Sequence, residues 1–266
     1  MKELEKLSTQ IRISSLKMVH QSGASHISSA LSITDILSTL YGKVLNYDAN
    51  NENLESRDRF ILSKGHACVA VYAVLAEVGF FEKSYLESYG EDFSDLMNHI
   101  SHKVPGVEFS TGALGHGLPF GVGKALFAKR NKMNWHTYVL MSDGELDEGS
   151  NWEAFLFSSH HQLSNLTTII DYNKLQSLTT ISDTLELEPL VDKLKSFGWF
   201  VIEAGGHDHK DLLKAFKDSS GSKPKAIIAH TTKGKGVSFM EDSVKWHYKN
   251  PNDTELNQAL LELDEK

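Results

Sequence analysis

Short apolar runs recur along the chain and alternate with longer stretches whose apolar positions return every third or fourth residue. The short runs fall at Arg59 to Leu62, Thr137 to Met141, Leu166 to Asp171, Trp199 to Glu203 and Lys225 to His230. Their length, and the near absence of polar alternation within them, predict buried strands. Helical spacing marks Leu4 to His20, Ile33 to Tyr41, Ala67 to Val78, Val122 to Ala128 and Asn151 to His161. The Gly/Ser-rich stretch Gln21 to Ser29 joins the first two helices and is expected to be a loop with a functional role. Strands alternating with helices imply an α/β fold in three layers, a mainly parallel sheet with helices on both faces. With no internal repeat and no linker, residues 1–266 read as one domain with a short tail from about Asp242.

Composition narrows the partners. Of 266 residues, 40% are hydrophobic and 23% charged, an ordinary globular balance with enough apolar residues for a substantial core. The net charge of −8, with no basic stripe, argues against nucleic acid. No apolar run approaches membrane-spanning length, and Met1 to Lys6 lacks the apolar segment of a signal peptide; the expectation is a cytoplasmic protein with no membrane contact. The single cysteine, Cys68, excludes an internal disulfide and reads as a small buried residue.

Two segments carry candidate chemistry. Ser142-Asp143-Gly144 and Asp171-Tyr172-Asn173 each end a strand-like run, and a helical stretch lies between them. Ligands of such βαβ units bind beyond the carboxyl ends of the strands. Asp143 brings a charged oxygen and Asn173 an amide oxygen, and the turn that follows can add the Leu175 carbonyl. These are hard oxygen donors suited to a divalent cation that also holds a diphosphate. Gly144 permits close approach of backbone to phosphate, and Glu148 with Gly149 opens the next helix. An Asp-Gly pair taken alone signals an ordinary turn with Asp143 as a cap. The alternation Asp143, Glu145, Asp147 resembles a calcium loop, but Glu148 stands where that loop requires glycine. His160 with His161, and His207 with His209, lack the spacing of a zinc site; the second pair reads as a loop before a helix capped by Asp208.

The Asp-Gly followed about thirty residues later by asparagine resembles the thiamine-diphosphate signature. Leu62-Ser63-Lys64-Gly65-His66-Ala67, Pro105-Gly106-Val107-Glu108, Ser110 to Gly117 and Thr232-Lys233-Gly234-Lys235-Gly236 resemble, in order, blocks of the N-terminal part of transketolase. Together they cover nearly the whole chain; Ser142 departs from the usual glycine. The resemblance implies the thiamine-diphosphate-binding fold, with thiamine diphosphate and Mg2+, or Ca2+ or Mn2+, as cofactors. It makes Asp143, Asn173 and Leu175 metal ligands, and His66, Gly112, Leu114, Asp143, Gly144, Glu148, Asn173 and His247 cofactor contacts. His26, His99 and His247 become catalytic histidines, with His99 preferred to His102. His26 resembles a substrate-channel histidine, although Ser28 and Ser29 replace two glycines beside it. His247 lies in Trp246-His247-Tyr248, where many members carry His-Gly. Gly112 to Gly117 resembles the loop against the aminopyrimidine ring, with His116 in place of a glutamine.

In that family a glutamate from a second, pyrimidine-binding domain activates the cofactor. The resemblance therefore implies the N-terminal subunit of a split enzyme, inactive alone and working as an α2β2 assembly with a C-terminal, pyrimidine-binding subunit. The expected reaction moves a two-carbon ketol unit from a ketose, expected to be phosphorylated, to an aldose. Alternatives are another thiamine-diphosphate enzyme of a specialised sugar pathway or of deoxyxylulose-phosphate synthase type, and a non-catalytic cofactor-binding subunit.

Overall fold

Five strands form the centre of the computed structural model, which describes residues 1–264: β1 Arg59–Leu62, β2 Thr137–Ser142, β3 Leu166–Tyr172, β4 Phe200–Gly205 and β5 Lys225–His230. All pairings are parallel, in the spatial order β1-β2-β3-β5-β4. The helices are α1 Lys2–Ser22, α2 Ile27–Ser32, α3 Thr34–Thr39, α4 Cys68–Glu77, α5 Gly117–Arg130, α6 Gly149–His160, α7 Ile181–Thr184, α8 Leu190–Ser196, α9 His209–Lys217 and α10 Asp253–Asp264.

Strand alternation divides the apolar residues between two cores. Phe60, Leu62, Leu140, Ile169 and Ile227 face one side with side chains from α1, α3, α4 and α9. Ile61, Val139, Met141, Ile170 and Ile228 face the other, with α5, α6 and α8. This is the expected three-layer architecture, with a sheet that is wholly rather than mainly parallel. Helix α4 shows why hydrophobicity here has no stripe: Cys68 to Ala76 are all buried, as expected of a helix enclosed on every side. Gly121 on α5 allows that helix to lie directly on the sheet, since a Cβ there would meet Val139 Cγ2 at 2.4 Å.

The structure corrects three boundaries. The connection expected over Gln21 to Ser29 is only Gly23–His26, because Gly23 ends α1 in the left-handed conformation (φ 67°) and Ile27 already opens α2. The serines at 28 and 29 therefore lie in a buried helix. The helix expected from Val122 begins at Gly117, inside the glycine-rich block. The one expected over Ile33 to Tyr41 divides into α3 and a π-helical turn, Leu40–Val44. Asp208 caps α9 as expected, accepting the amides of Lys210 and Asp211. Beyond Asp242 the chain forms a 3-10 turn, Val244–His247, and then α10, which buries Ala259 and Leu263. Among the described residues no helix is long and apolar enough to cross a membrane.

Because Gly121 sits in contact distance of the sheet, Gly121→Val is expected to lower unfolding free energy by about 1–3 kcal/mol through overpacking. Denaturant titration checks this, and an unchanged midpoint would refute the close-packing role.

Candidate active site

Parallel strands place all their carboxyl ends along one edge of the sheet, and the candidate residues follow those ends. Lys64 and His66 come after β1, Asp143 after β2, Asn173 and Leu175 after β3, and Lys233 after β5. They line a cleft of about 260 Å³ together with His26, Ser29, His99, Gly112, Leu114, Gly144, Gln176, His247 and Tyr248.

At one end lie the oxygen donors. Asp143 is 1% exposed and accepts the amides of Gly144 (2.8 Å) and Lys174 (2.6 Å). Asn173 donates its amide to Asp171 Oδ2 (3.1 Å), which orients its Oδ1 away from that carboxylate. The Leu175 carbonyl belongs to the same wall and accepts from Lys233 Nζ (3.0 Å), as does the Gln176 carbonyl (2.9 Å). Burial, then the neighbouring Asp171 charge, push the Asp143 carboxyl up to about 7. A site that penalises bare negative charge this way favours a bound cation, so the donor set fits a hard divalent ion. A metal taking the Leu175 carbonyl shares it with Lys233, whose ammonium burial and Lys64 together lower to about 8.

The other end is built from imidazoles. His26 lies at the N-terminus of α2 with φ 73°, a left-handed conformation uncommon for histidine. Its amide donates to the His247 carbonyl (2.7 Å), which clamps the tail onto the loop after α1. The ring centroids of His66, His99 and His247 lie 5.1, 5.9 and 5.0 Å from that of His26. Burial first, then neighbouring cationic groups, lowers His26 to about 4, His247 to about 3 and His66 well below its ordinary value. These three rings are neutral near pH 7 and can accept or donate one proton each. Among the described residues His247 Nδ1 is buried without a hydrogen-bond partner, a polar atom that a ligand in this cleft would satisfy.

Ten of the eleven residues assigned from sequence thus come together. Glu148 does not: it is exposed at the start of α6, outside the cleft, with its side chain against Gly115. His102 is exposed and bonded to Ser110, whereas His99 faces the cleft. Ser142 has an ordinary negative φ, so glycine is not required there. Asp143, Glu145 and Asp147 enter three separate networks, Glu145 holding Ser63 Oγ and the Gly115 amide and Asp147 holding Gln176. Lys64, Lys233, Ser29, Gln176 and Tyr248 were not assigned from sequence. The two lysines lay inside blocks already noted, and their signal was a basic residue flanked by glycine at a strand end in an acidic chain.

A family model described as transketolase, thiamine diphosphate binding domain, matches residues 4–263. A Phocaeicola vulgatus protein whose name makes it a subunit of apulose-4-phosphate transketolase is 40% identical over 265 residues, covering 99% of this chain and 94% of its own. Its namesake from Actinobacillus succinogenes is 42% identical over 267 residues, with 99% and 97% covered. The crystal structure of transketolase from Campylobacter jejuni superposes with a TM-score of 0.94 at 28% identity, over 99% of this chain but 43% of that one.

The depressed histidines have a consequence for stability. Folded, they resist protonation to about 4 and about 3, whereas the unfolded chain takes up protons below about 6.5. Stability is therefore expected to be full above about pH 6.5 and to fall as pH drops toward 4. Thermal unfolding between about pH 7.5 and 5 checks this, and His26→Asn, which suits the left-handed backbone, is expected to flatten the profile. A profile equally steep in the variant would count against it.

Proposed function

The chain belongs to the transketolase family, in its thiamine-diphosphate-binding part, and from that premise we propose that it is one subunit of a ketol transferase completed by a separate pyrimidine-binding subunit. The observation that carries the reading is one cleft joining an oxygen-donor wall, Asp143, Asn173 and Leu175, to a cluster of neutral imidazoles. The first would hold the divalent metal and, through it, the diphosphate; Gly144 leaves room for the phosphates, and His66 meets them from the β1 turn. When bound, thiamine diphosphate supplies a thiazolium whose deprotonated carbon receives and passes on the two-carbon unit. The backbone of Gly112 and Leu114 forms the wall toward the aminopyrimidine. His26, His99 and His247 stand where the sugar would enter, and their imidazoles can bind its hydroxyls and move protons at its carbonyl and alkoxide oxygens.

Near-full-length similarity to two proteins named as transketolase subunits supports a separate partner, which would bring the activating glutamate and the remaining sugar contacts. The assembly in this reading is α2β2, with each cofactor between this subunit and one copy of its partner. The names of those relatives favour a phosphorylated sugar as substrate, with apulose 4-phosphate the first compound to assay.

Two measurements test this reading. Ketol transfer is expected only when the chain is mixed with the pyrimidine-binding subunit; equal activity of the chain by itself would sink the split assignment. Asp143→Ala is expected to weaken magnesium-dependent binding of thiamine diphosphate to the assembled subunits by more than about 100-fold, beyond the 10- to 100-fold loss common for residues outside the first metal shell. Calorimetry showing wild-type affinity in a folded Asp143→Ala protein would refute the metal assignment.

A further inference from the structure

A second cavity, of about 610 Å³, opens beside the start of α1, the N-terminus of α9 and the Lys235-Gly236 turn. Its inner wall is a charged cluster of Arg12, Asp35, His207 and His209. Arg12 grips Asp35 with both ends of its guanidinium, Nη1 to Oδ1 at 3.1 Å and Nη2 to Oδ2 at 2.5 Å, while its Nε donates to the Lys235 carbonyl at 3.0 Å. His207 Nδ1 lies 2.8 Å from Asp35 Oδ2, and its Nε2 lies 2.8 Å from the Thr232 amide nitrogen. His209 completes the cluster through Ser8 and Ser38.

The hydrogen-bond chemistry selects one state of His207. A backbone amide only donates, so Nε2 must present its lone pair to Thr232, and the ring proton must sit on Nδ1 facing the carboxylate. Burial pushes the Asp35 carboxyl up, but the His207 hydrogen bond and the Arg12 guanidinium outweigh it and hold the group well below the usual carboxylate range. Asp35 therefore stays ionised and keeps His207 in the accepting tautomer.

The two arms of this cluster hold the chain at Thr232 and at Lys235, and between them lie Lys233 and Gly234. Gly234 has φ 82° and a Cβ there would meet the Met240 carbonyl at 2.2 Å, so the turn accepts no other residue without rearrangement. Its amide donates to Ser28 (3.0 Å), and the Lys233 carbonyl accepts from Asp242 (2.9 Å). From this anchored backbone the Lys233 side chain, 2% exposed, reaches through to the Leu175 and Gln176 carbonyls at the oxygen-donor wall.

We propose that Asp35, acting through His207 and Arg12, is a positioning residue for the Thr231–Gly236 loop, and that it sets where the Lys233 ammonium meets the metal and diphosphate end of the cleft. The part concerning the cofactor rests on the function proposed above; the part concerning the loop does not.

Asp35→Ala would strand the Arg12 guanidinium in the interior, so the test is placed on the half-buried His207. Leucine removes both hydrogen bonds, and glutamine restores one acceptor and one donor on a planar group. In the full-length chain without cofactor, His207→Leu is expected to speed amide hydrogen exchange across residues 231–236 by about tenfold or more, the loss of roughly one hydrogen bond, and His207→Gln to restore most of the protection. With the partner subunit present, thiamine diphosphate and magnesium are expected to bind about 10-fold more weakly to His207→Leu and near normally to His207→Gln. Unchanged loop exchange in His207→Leu, or a glutamine variant as impaired as the leucine one, would overturn the positioning role. Failure of the wild-type assembly to bind thiamine diphosphate would instead sink the proposed function and leave the exchange measurement to decide this inference.

Discussion

The active cleft is organised around one buried carboxylate, Asp171, near the end of β3. It accepts Lys64 Nζ at 2.5 Å, Ser32 Oγ at 2.5 Å, the Thr231 hydroxyl and the Asn173 amide at 3.1 Å. Those four donors come from the turn after β1, from α2, from the end of β5 and from the end of β3 itself. One fully buried group thus ties together most of the segments that meet at the carboxyl edge of the sheet. An ion pair so deeply buried, with Lys64 1% and Asp171 0% exposed at the side chain, gains little net stability over an apolar pair, because both charges lose their hydration. What it provides is geometry: removing either partner strands the other, so alternative packings of these loops are strongly disfavoured.

That geometry also explains how an acidic chain can present a surface for an anionic cofactor. Formal charge sums to −8, yet the groups facing the cleft include two buried lysines, neutral histidines and a carboxyl whose ionisation is penalised unless a cation accompanies it. Local placement overrides the average because interactions inside a poorly hydrated cleft are screened far less than those among exposed side chains. Glycine supplies the remaining constraint. A Cβ on Gly65 would lie 2.3 Å from the Thr111 carbonyl, so the β1 turn and the Thr111-Gly112 strand of backbone can approach only as they do.

Much of this was legible beforehand, and for identifiable reasons. The strands Arg59–Leu62 and Lys225–His230 stand at the expected bounds because both are enclosed on two sides, which makes their apolar runs unbroken and their polar ends abrupt. Asp143, Asn173 and Leu175 could be named from the residues themselves because they follow strand ends and bring oxygen donors, whereas the histidines, Gly112 and Leu114 were named from the resemblance of their blocks to a family. Glu148 lies outside the cleft because position next to a motif does not decide which way a helix N-terminus turns its side chain. Lys64 and Lys233 were passed over since lysine is ordinarily a solvated residue, and nothing local marks one as buried.

Sequence by itself determined the α/β alternation, the oxygen-donor types at one end of the cleft and the presence of the histidines, since these depend on hydrophobic period and on functional groups carried by single residues. Only the tertiary structure decided the strand order, the start of α2 within a stretch that reads as loop, the choice of His99 over His102 for the cleft, and the convergence of Lys64, Ser32, Thr231 and Asn173 on Asp171. The physical reason is range: periodicity and side-chain chemistry are local, whereas the hydrogen bonds that orient this site join residues as far apart in the chain as His26 and His247 and exist only once the sheet has brought them together.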